Sequence, residues 1–167
     1  MPKHKELLQE FEGIALSTGS AERLMQAISQ RIHEEMTRYN WVGFFLLDPS
    51  NRSVLVLGPY AGSLSPQPSI SLHEGLCGAA ASTGKTIVVD DVAGDPRYFS
   101  ALELTKSEIV VPIFTGDKVA GVIDVNSYFK ATFSRPEREF LESCSAVVGR
   151  CLKTNDQVAV PLSGKIQ

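Results

Sequence analysis

The sequence is poor in cysteine and histidine. Its 167 residues contain three cysteines, Cys77, Cys144 and Cys151, without a CxxC pair and without the Cys/His spacing of a metal site. The three histidines also lack Cys, Asp or Glu partners at ligand spacing. An odd number of cysteines with no disulfide framework indicates free thiols in a reducing compartment. We therefore expect neither a metal nor another cofactor.

A long apolar run and a basic stripe are also missing. No stretch approaches the roughly 20 apolar residues of a membrane span, and the chain opens on charged residues without an apolar signal core. The net charge is -3, the isoelectric point is about 5.6, and the basic residues are scattered, which disfavours nucleic acid as a ligand. The sequence predicts a cytoplasmic protein with no membrane or nucleic-acid partner.

The length predicts a single domain with its own hydrophobic core. We expect this domain to cover residues 1–154, including the N-terminal helices. Residues 155–167 are polar with one proline and one glycine, which predicts a flexible C-terminal tail. The sequence contains no internal repeat.

The order of the predicted elements indicates the α+β class. Two amphipathic helices come first, the second behind Ser20 as a candidate N-cap. Two hairpins follow, with turns at 48–51 and 115–117, and a short helix between them carries Cys77 and ends at Gly84. Pro112 predicts an edge or a bulge in its strand. This order predicts an antiparallel sheet with helices on one face and a loop-covered pocket on the other.

The last predicted helix has the clearest pattern. Ser134 and Glu137 form a capping box, and an apolar stripe at helical spacing contains Cys144 and Cys151. These two cysteines lie about 10 Å apart along a helix axis, too far for a disulfide. We interpret both as small core residues.

Cys77 is the cysteine with potential for chemistry. It lies in the first turn of the short helix, where the positive end of the helix dipole favours the thiolate. This position predicts a reactive thiol. Redox catalysis usually needs a second thiol to resolve a sulfenic acid, and Cys144 and Cys151 are predicted to lie elsewhere.

Polar residues interrupt the apolar strands near the second hairpin. Glu108, Asp124 and Asn126 lie within or beside apolar runs, and a buried polar group needs a hydrogen-bond partner. Strand alternation puts Asp124 and Asn126 on one face. We place these residues with Trp41 around a pocket. The spacing equally allows a solvent-facing Asp124, and core packing is the commoner role for Trp41.

Five motifs occur in a characteristic order. They are Tyr39-Asn40-Trp41-Val42-Gly43-Phe44, Leu57-Gly58-Pro59-Tyr60 with Gly62, Gly75-Leu76-Cys77-Gly78, Ser107-Glu108-Ile109-Val110-Val111-Pro112 and Gly121-Val122-Ile123-Asp124-Val125. From about residue 10 to residue 152 the chain resembles a GAF domain, and more narrowly the free methionine-(R)-sulfoxide reductase branch. The resemblance implies an antiparallel sheet of about six strands. It also implies a helical layer that commonly forms a dimer interface, so we expect a homodimer through the helices.

The resemblance implies a two-thiol mechanism for that branch. One thiol attacks the sulfoxide sulfur, a second closes a disulfide, and thioredoxin restores the pair. The position of the attacking thiol is Ala101 in this sequence, and the position of a resolving thiol, ten residues before Cys77, is Gln67. Because alanine has no nucleophile, Cys77 is the only catalytic candidate that remains.

The resemblance also implies a pocket for a free amino acid, held by an aromatic pair and acidic residues. Trp41, Glu108 and Asp124 match this pattern, whereas Phe45 replaces a tyrosine and Asn126 replaces a second acid. The predicted ligand-binding residues are Trp41, Phe45, Tyr60, Ala101, Glu108, Asp124 and Asn126.

Two functions follow from these observations. The first is a non-catalytic GAF module that binds a small molecule, possessing the pocket but not the attacking thiol. The alternative is a divergent free methionine-(R)-sulfoxide reductase that uses Cys77 with an external thiol, and only this alternative has thioredoxin as a partner. A cyclic-nucleotide sensor is a weaker third hypothesis, based on Asn126-Ser127, Phe133 and Glu137.

Overall fold

The computed structural model describes residues 2–63, 67–98 and 104–166, with side chains described through residue 155. Its helices and one short 3-10 turn are α1 Pro2–Thr18, α2 Ala21–Glu35, α3 Gly75–Thr83, the turn Val92–Gly94 and α4 Arg135–Ile166. Its strands are β1 Trp41–Asp48, β2 Asn51–Gly62, β3 Ser69–Ser71, β4 Ile87–Val89, β5 Ser107–Thr115 and β6 Lys118–Ser127.

The six strands form one antiparallel sheet in the order β3-β2-β1-β6-β5-β4. This arrangement confirms the predicted α+β class and the antiparallel sheet of about six strands. Both predicted hairpins are present, as β1-β2 and β5-β6. The second strand of the first hairpin is longer than the apolar segment 54–57 that the sequence predicts for it, since β2 begins at Asn51 and continues to Gly62.

Strand alternation separates two hydrophobic clusters on opposite faces of the sheet. In β1, Val42 and Phe44 join the cluster beneath α1, α2 and α4, whereas Trp41 and Phe45 join the cluster beneath α3. The helical layer on one face is therefore confirmed. The opposite face, which we call the ligand face, carries α3 and the predicted pocket residues.

Local polar contacts explain where the helices begin and end. Ser20 caps α2 by accepting a hydrogen bond from the Arg23 N–H at 3.3 Å. Glu137 accepts from the Ser134 N–H at 2.9 Å and thereby caps α4. Gly84 ends α3 in the left-handed conformation, with φ of 69°.

Pro112 lies in β5 beyond the residues that pair with β4. The β4 partners are Glu108, Ile109 and Val110, so β5 has only β6 beside it at Pro112. A register shift follows between Ile113 and Phe114. The proline therefore occupies a local edge next to an irregularity, as the sequence predicts.

Helix α4 buries the predicted stripe against the sheet. Cys144 and Cys151 are both free thiols in the cluster beneath the helical layer, which confirms their interpretation as core residues. The helical backbone continues through Ile166, beyond the expected domain boundary at residue 154. The flexible tail over residues 155–167 stays a prediction. Among the described residues, no helix has the length and apolar character needed to cross a bilayer.

Gly149 allows α4 to pack closely on β5. A methyl group at this position would collide with the Phe114 carbonyl oxygen, which is backbone and cannot rotate away. We expect Gly149→Ala to lower the free energy of unfolding by about 1 to 2 kcal/mol, because overpacking outweighs the better helix propensity of alanine. Gly13 in α1 has no heavy atom within 4 Å of the same methyl position, so Gly13→Ala should raise stability by about 0.5 to 1 kcal/mol. Urea unfolding that finds both variants equally stabilised would contradict this packing.

Candidate functional site

Three neighbouring strands bring the predicted polar residues together on the ligand face. In the antiparallel register Trp41 lies opposite Asn126, which in turn lies opposite Glu108. Asp124 lies opposite Gly43 on β1 and Val110 on β5. Facing residues of an antiparallel pair point to the same side, so the strands concentrate these groups although they are distant in sequence.

Helix α3 adds Cys77 to this group of polar residues. The helix packs closely because its Gly78 has no side chain: a Cβ there would lie 2.8 Å from the Ser71 carbonyl oxygen. Cys77 is buried and belongs to the apolar cluster between α3 and the sheet. The first turn of α3 therefore points its thiol at the strands and away from solvent.

Cys77, Glu108 and Asp124 form what we call the thiol-carboxyl cluster. The thiol sulfur and one oxygen of each carboxyl group all lie within 4.8 Å of one another. Their exposed fractions are 5%, 6% and 6%. Two acids and one thiol thus share a site that is almost closed to water.

Burial and mutual repulsion disfavour ionisation throughout this cluster. Burial, and then the Asp124 charge, raise the pKa of Glu108 well above its usual value. Burial also raises the pKa of Asp124, although hydrogen bonding by Glu108, Cys77 and Asn126 partly offsets the effect. Because burial raises the pKa of both acids and the two carboxyl groups lie close together, the pair favours a state that keeps one proton.

The structure reverses the expected reactivity of Cys77. Burial raises the pKa of the thiol well above its usual value, and the charges of Asp124 and Glu108 raise it further. The favourable helix dipole at the start of α3 is too weak to outweigh a closed site with two carboxyl groups. Cys77 is therefore held as a neutral thiol and not as a nucleophilic thiolate.

Two polar atoms in this region have no hydrogen-bond partner among the described residues. They are Asp124 Oδ1 and the indole Nε1 of Trp41, and both are buried. Asn126 differs, since its Oδ1 accepts a hydrogen bond from Thr105 Oγ1 at 3.0 Å. A buried acceptor without a donor costs free energy, so Asp124 Oδ1 is suited to bind an incoming donor or cation.

Trp41, Phe45 and Tyr60 form what we call the aromatic wall. The Trp41 ring stacks on Tyr60 with centroids 5.7 Å apart and lies 6.1 Å from the Phe45 ring. Trp41 and Phe45 are buried, whereas Tyr60 is 41% exposed. The wall therefore extends from the buried sheet to the surface.

Two glycines make room for the indole. A Cβ on Gly43 would lie 2.8 Å from Cζ2 and from Cζ3 of Trp41, and a Cβ on Gly62 would lie 2.6 Å from Cδ1. Gly62 also has φ of 143°, a conformation that favours glycine. The indole thus lies flat over positions on two adjacent strands where no side chain fits.

The structure brings most of the predicted pocket residues together on the ligand face, and their role in binding stays a prediction. Asp124 is buried, so the solvent-facing alternative for it is wrong, whereas the core-packing alternative for Trp41 fits its place in an apolar cluster. Ala101 lies outside the described residues. Sequence reasoning missed Thr105 and the clearance at Gly43. The sequence did contain a signal for the clearance, because Gly43 follows Trp41 by two positions and therefore lies on the same face of the strand.

The fold and the ligand face together define the class of protein. A family model described as GAF domain matches residues 20–152, and the chain belongs to this family. The chain is also 39% identical, over 112 residues, to the free methionine-R-sulfoxide reductase of Saccharomyces cerevisiae; the match covers 66% of this chain and 62% of the yeast protein. The chain spans less than two thirds of that relative's length.

Two other matches cover more of this chain, and their descriptions differ from each other. The GAF domain-containing protein A of Dictyostelium discoideum is 30% identical, with 83% of this chain and 85% of that protein covered. The free methionine-R-sulfoxide reductase of Neisseria meningitidis, solved in complex with its substrate, has a TM-score of 0.86 and 28% identity, with 93% and 91% covered. The chain is therefore a GAF domain related to free methionine-R-sulfoxide reductases.

Proposed function

We propose that this GAF domain is a non-catalytic module that binds or senses a small molecule on its ligand face. The placement of the thiols carries the proposal. All three cysteines of the chain are described: Cys77 lies on the ligand face, and Cys144 and Cys151 lie in the cluster on the opposite side of the sheet. Cys77 therefore has no second thiol with which to close a disulfide.

The state of Cys77 supports the same proposal. Nucleophilic attack needs a thiolate, and burial beside two carboxyl groups favours the neutral thiol. The second reason to propose a non-catalytic module is Ala101, which occupies the position of the family's attacking thiol and has no nucleophile. The chain thus keeps Trp41, Glu108 and Asp124 of the reductase branch's binding groups without an activated nucleophile.

The shape of the site suggests what kind of ligand it takes. The aromatic wall offers apolar and π surface, and Asp124 and Glu108 offer acceptors and one carboxyl proton at the other end. Asn126 lies at the position where the reductase branch has a second acid. Its neutral amide already accepts a hydrogen bond from Thr105. We expect a small molecule with an apolar part and a polar end that is less cationic than a free amino acid.

Native mass spectrometry of freshly purified protein tests this proposal. We expect an organic molecule to co-purify at about one copy per chain, and Asp124→Asn to reduce its occupancy. The matched variant Cys77→Ser should retain the molecule, because binding does not need the thiol. Absence of any organic adduct, or an adduct indifferent to Asp124→Asn, would remove the proposal.

The alternative is a divergent reductase in which Cys77 attacks and an external thiol completes the cycle. The observation in its favour is that the Cys77 sulfur lies within 4.8 Å of the carboxyl groups of Glu108 and Asp124, which the proposed ligand would also meet. An ionised Cys77 would require the cluster to open and to lose the repulsion from Asp124. Thioredoxin is a partner only under this alternative.

Three further sequence predictions stay proposals. They are a homodimer formed through the helical layer, a cytoplasmic location, and the absence of nucleic-acid and membrane partners. Leu16 of α1 is 88% exposed and lies beside Leu8 and Phe140 at the junction with α4. This apolar surface is consistent with the proposed dimer.

A further inference from the structure

The thiol-carboxyl cluster contains the donor set of a transition-metal site. One sulfur and two carboxyl oxygens converge from α3, β5 and β6 within 4.8 Å of one another. Helix α3 and the β5-β6 hairpin supply the three groups, and the packing of α3 on the sheet holds their backbones in place. Three protein donors are typical of a zinc site in which a further ligand completes the coordination.

A second observation points to a missing positive partner. Asp124 is only 6% exposed. Its Oδ1 accepts no hydrogen bond from the described residues. None of the ion pairs found between described residues involves Glu108 or Asp124. Two buried acids without a cation are costly unless they are protonated or bind a metal.

We propose that Cys77, Glu108 and Asp124 bind one divalent metal ion of the zinc class. This site goes beyond the proposed function, since it needs no small-molecule ligand and would exist in either a binding module or a reductase. Sequence spacing alone gave no support for a metal site. The donors become neighbours through the pairing of β5 with β6 and the packing of α3 on these strands, which spacing along the chain does not reveal.

The chemistry of the donors selects the metal. A thiolate together with two carboxylates suits Zn²⁺, Co²⁺ or Fe²⁺, whereas Mg²⁺ and Ca²⁺ require oxygen ligands alone. Bond lengths of about 2.0 to 2.3 Å in a tetrahedral site would bring the donors to roughly 3.3 to 3.8 Å from one another. The donor separations, which are up to 4.8 Å, must therefore shorten by at most about 1.5 Å around the ion. A fourth position stays open to water or to a ligand donor.

Binding exchanges protons for the metal without electron transfer. The S–H bond of Cys77 and the O–H bond of the one protonated acid in the Glu108–Asp124 pair break, and metal–sulfur and metal–oxygen bonds form in their place. The other carboxyl group of the pair is already ionised and binds without releasing a proton. Two protons leave for each divalent ion. The thiolate and the two carboxylates then have a total charge of -3, and the bound ion reduces the total to -1.

Cobalt titration of the chelator-treated full-length protein tests this site. We expect one Co²⁺ per chain with a thiolate-to-metal charge-transfer band, displacement of Co²⁺ by Zn²⁺, and release of about two protons per ion in weakly buffered solution. Quenching of the emission of Trp41, the only tryptophan, should accompany binding because its ring lies over Gly43, opposite Asp124.

Variants at matched positions make the test specific. Cys77→Ser should abolish the charge-transfer band and weaken binding by at least about 100-fold, a loss beyond that of an outer-shell partner. Cys151→Ser removes another buried thiol outside the cluster and should leave the titration unchanged. Asp124→Asn and Glu108→Gln keep the side-chain volume, and each should weaken binding while far-UV circular dichroism stays native.

Two results would overturn the inference. One is a wild-type protein that gives no charge-transfer band with Co²⁺ and takes up no Zn²⁺ during equilibrium dialysis. The other is a band that persists in Cys77→Ser and disappears in Cys151→Ser. Because this titration uses the metal alone, its result is independent of whether an organic ligand is found by native mass spectrometry.

Discussion

Replacing Gly43 with alanine is expected to displace the Trp41 indole and to lower the free energy of unfolding by about 3 kcal/mol. The added methyl group would lie 2.8 Å from two carbons of the indole, Cζ2 and Cζ3, well inside normal contact distance. The ring cannot move away easily, because it is buried and packs against Phe45, Tyr60 and the Gly62 position. The emission of the single tryptophan should shift to longer wavelength as it becomes exposed to water.

Gly58→Ala is the matched control, since Gly58 also lies in a strand of the same hairpin. Its Cβ would lie 3.4 Å from the Phe44 carbonyl oxygen, an ordinary contact. Alanine at a strand position that tolerates it is stabilising by about 0.5 to 1 kcal/mol. Equal stability and equal emission for Gly43→Ala and Gly58→Ala would show that Trp41 does not lie across Gly43.

Glu108→Gln is expected to stabilise the metal-free protein by about 2 kcal/mol at about pH 8 and by almost nothing near pH 4. Burial and the Asp124 charge raise the pKa of Glu108, so the carboxyl group is costly to ionise in the folded state. Glutamine has the same shape, never ionises, and can donate a hydrogen bond to Asp124.

The pH dependence follows from proton binding. In the unfolded chain Glu108 has a pKa near 4.3, and below that value both states hold the proton. As the pH rises, the unfolded chain releases its proton first, so the folded state loses stability until its own, higher pKa is reached. Glutamine removes this loss, and the difference between the two proteins grows with pH.

Thermal unfolding in the presence of a chelator, followed from about pH 4 to pH 8, measures this difference. Glu34→Gln is the control, because Glu34 is 64% exposed and forms only a surface ion pair with Arg31. Its effect should be small and should vary little with pH. A Glu108→Gln variant that is less stable than the wild type at pH 8 would contradict the buried, repulsive environment assigned to Glu108.

Local sequence patterns predicted most of the fold because short-range chemistry determines those features. The N-cap at Ser20, the capping box at Ser134 and the αL glycine at Gly84 each follow from a few neighbouring residues. Alternation in β6 put Asp124 and Asn126 on one face, which the structure confirms. The full length of β2 could not be predicted from local patterns, since its second half depends on pairing with β1.

The properties of the site depend on contacts that local patterns do not contain. The helix dipole at Cys77 was visible in the sequence, but the carboxyl groups that oppose it come from β5 and β6. The clearance over Gly43 depends on the path of the Trp41 side chain, and the contact of Thr105 with Asn126 depends on the entry to β5. Register and burial therefore determine the chemistry of this site.

Membership of the GAF family does not by itself decide between binding and catalysis. The relatives include proteins described as reductases and a protein described only by its GAF domain. The difference depends on whether a thiolate can reach the ligand. In this chain the one thiol on the ligand face is buried beside two carboxyl groups, and the other two cysteines lie across the sheet.

The most direct test incubates the wild-type protein with free methionine-(R)-sulfoxide and either dithiothreitol or thioredoxin with its reducing system, and measures the methionine formed. The yeast relative serves as the positive control, and Cys77→Ser serves as the matched negative control. We predict that the wild-type protein forms no more methionine than Cys77→Ser or a protein-free blank. Turnover by the wild type that Cys77→Ser abolishes would contradict the non-catalytic account and establish the reductase alternative.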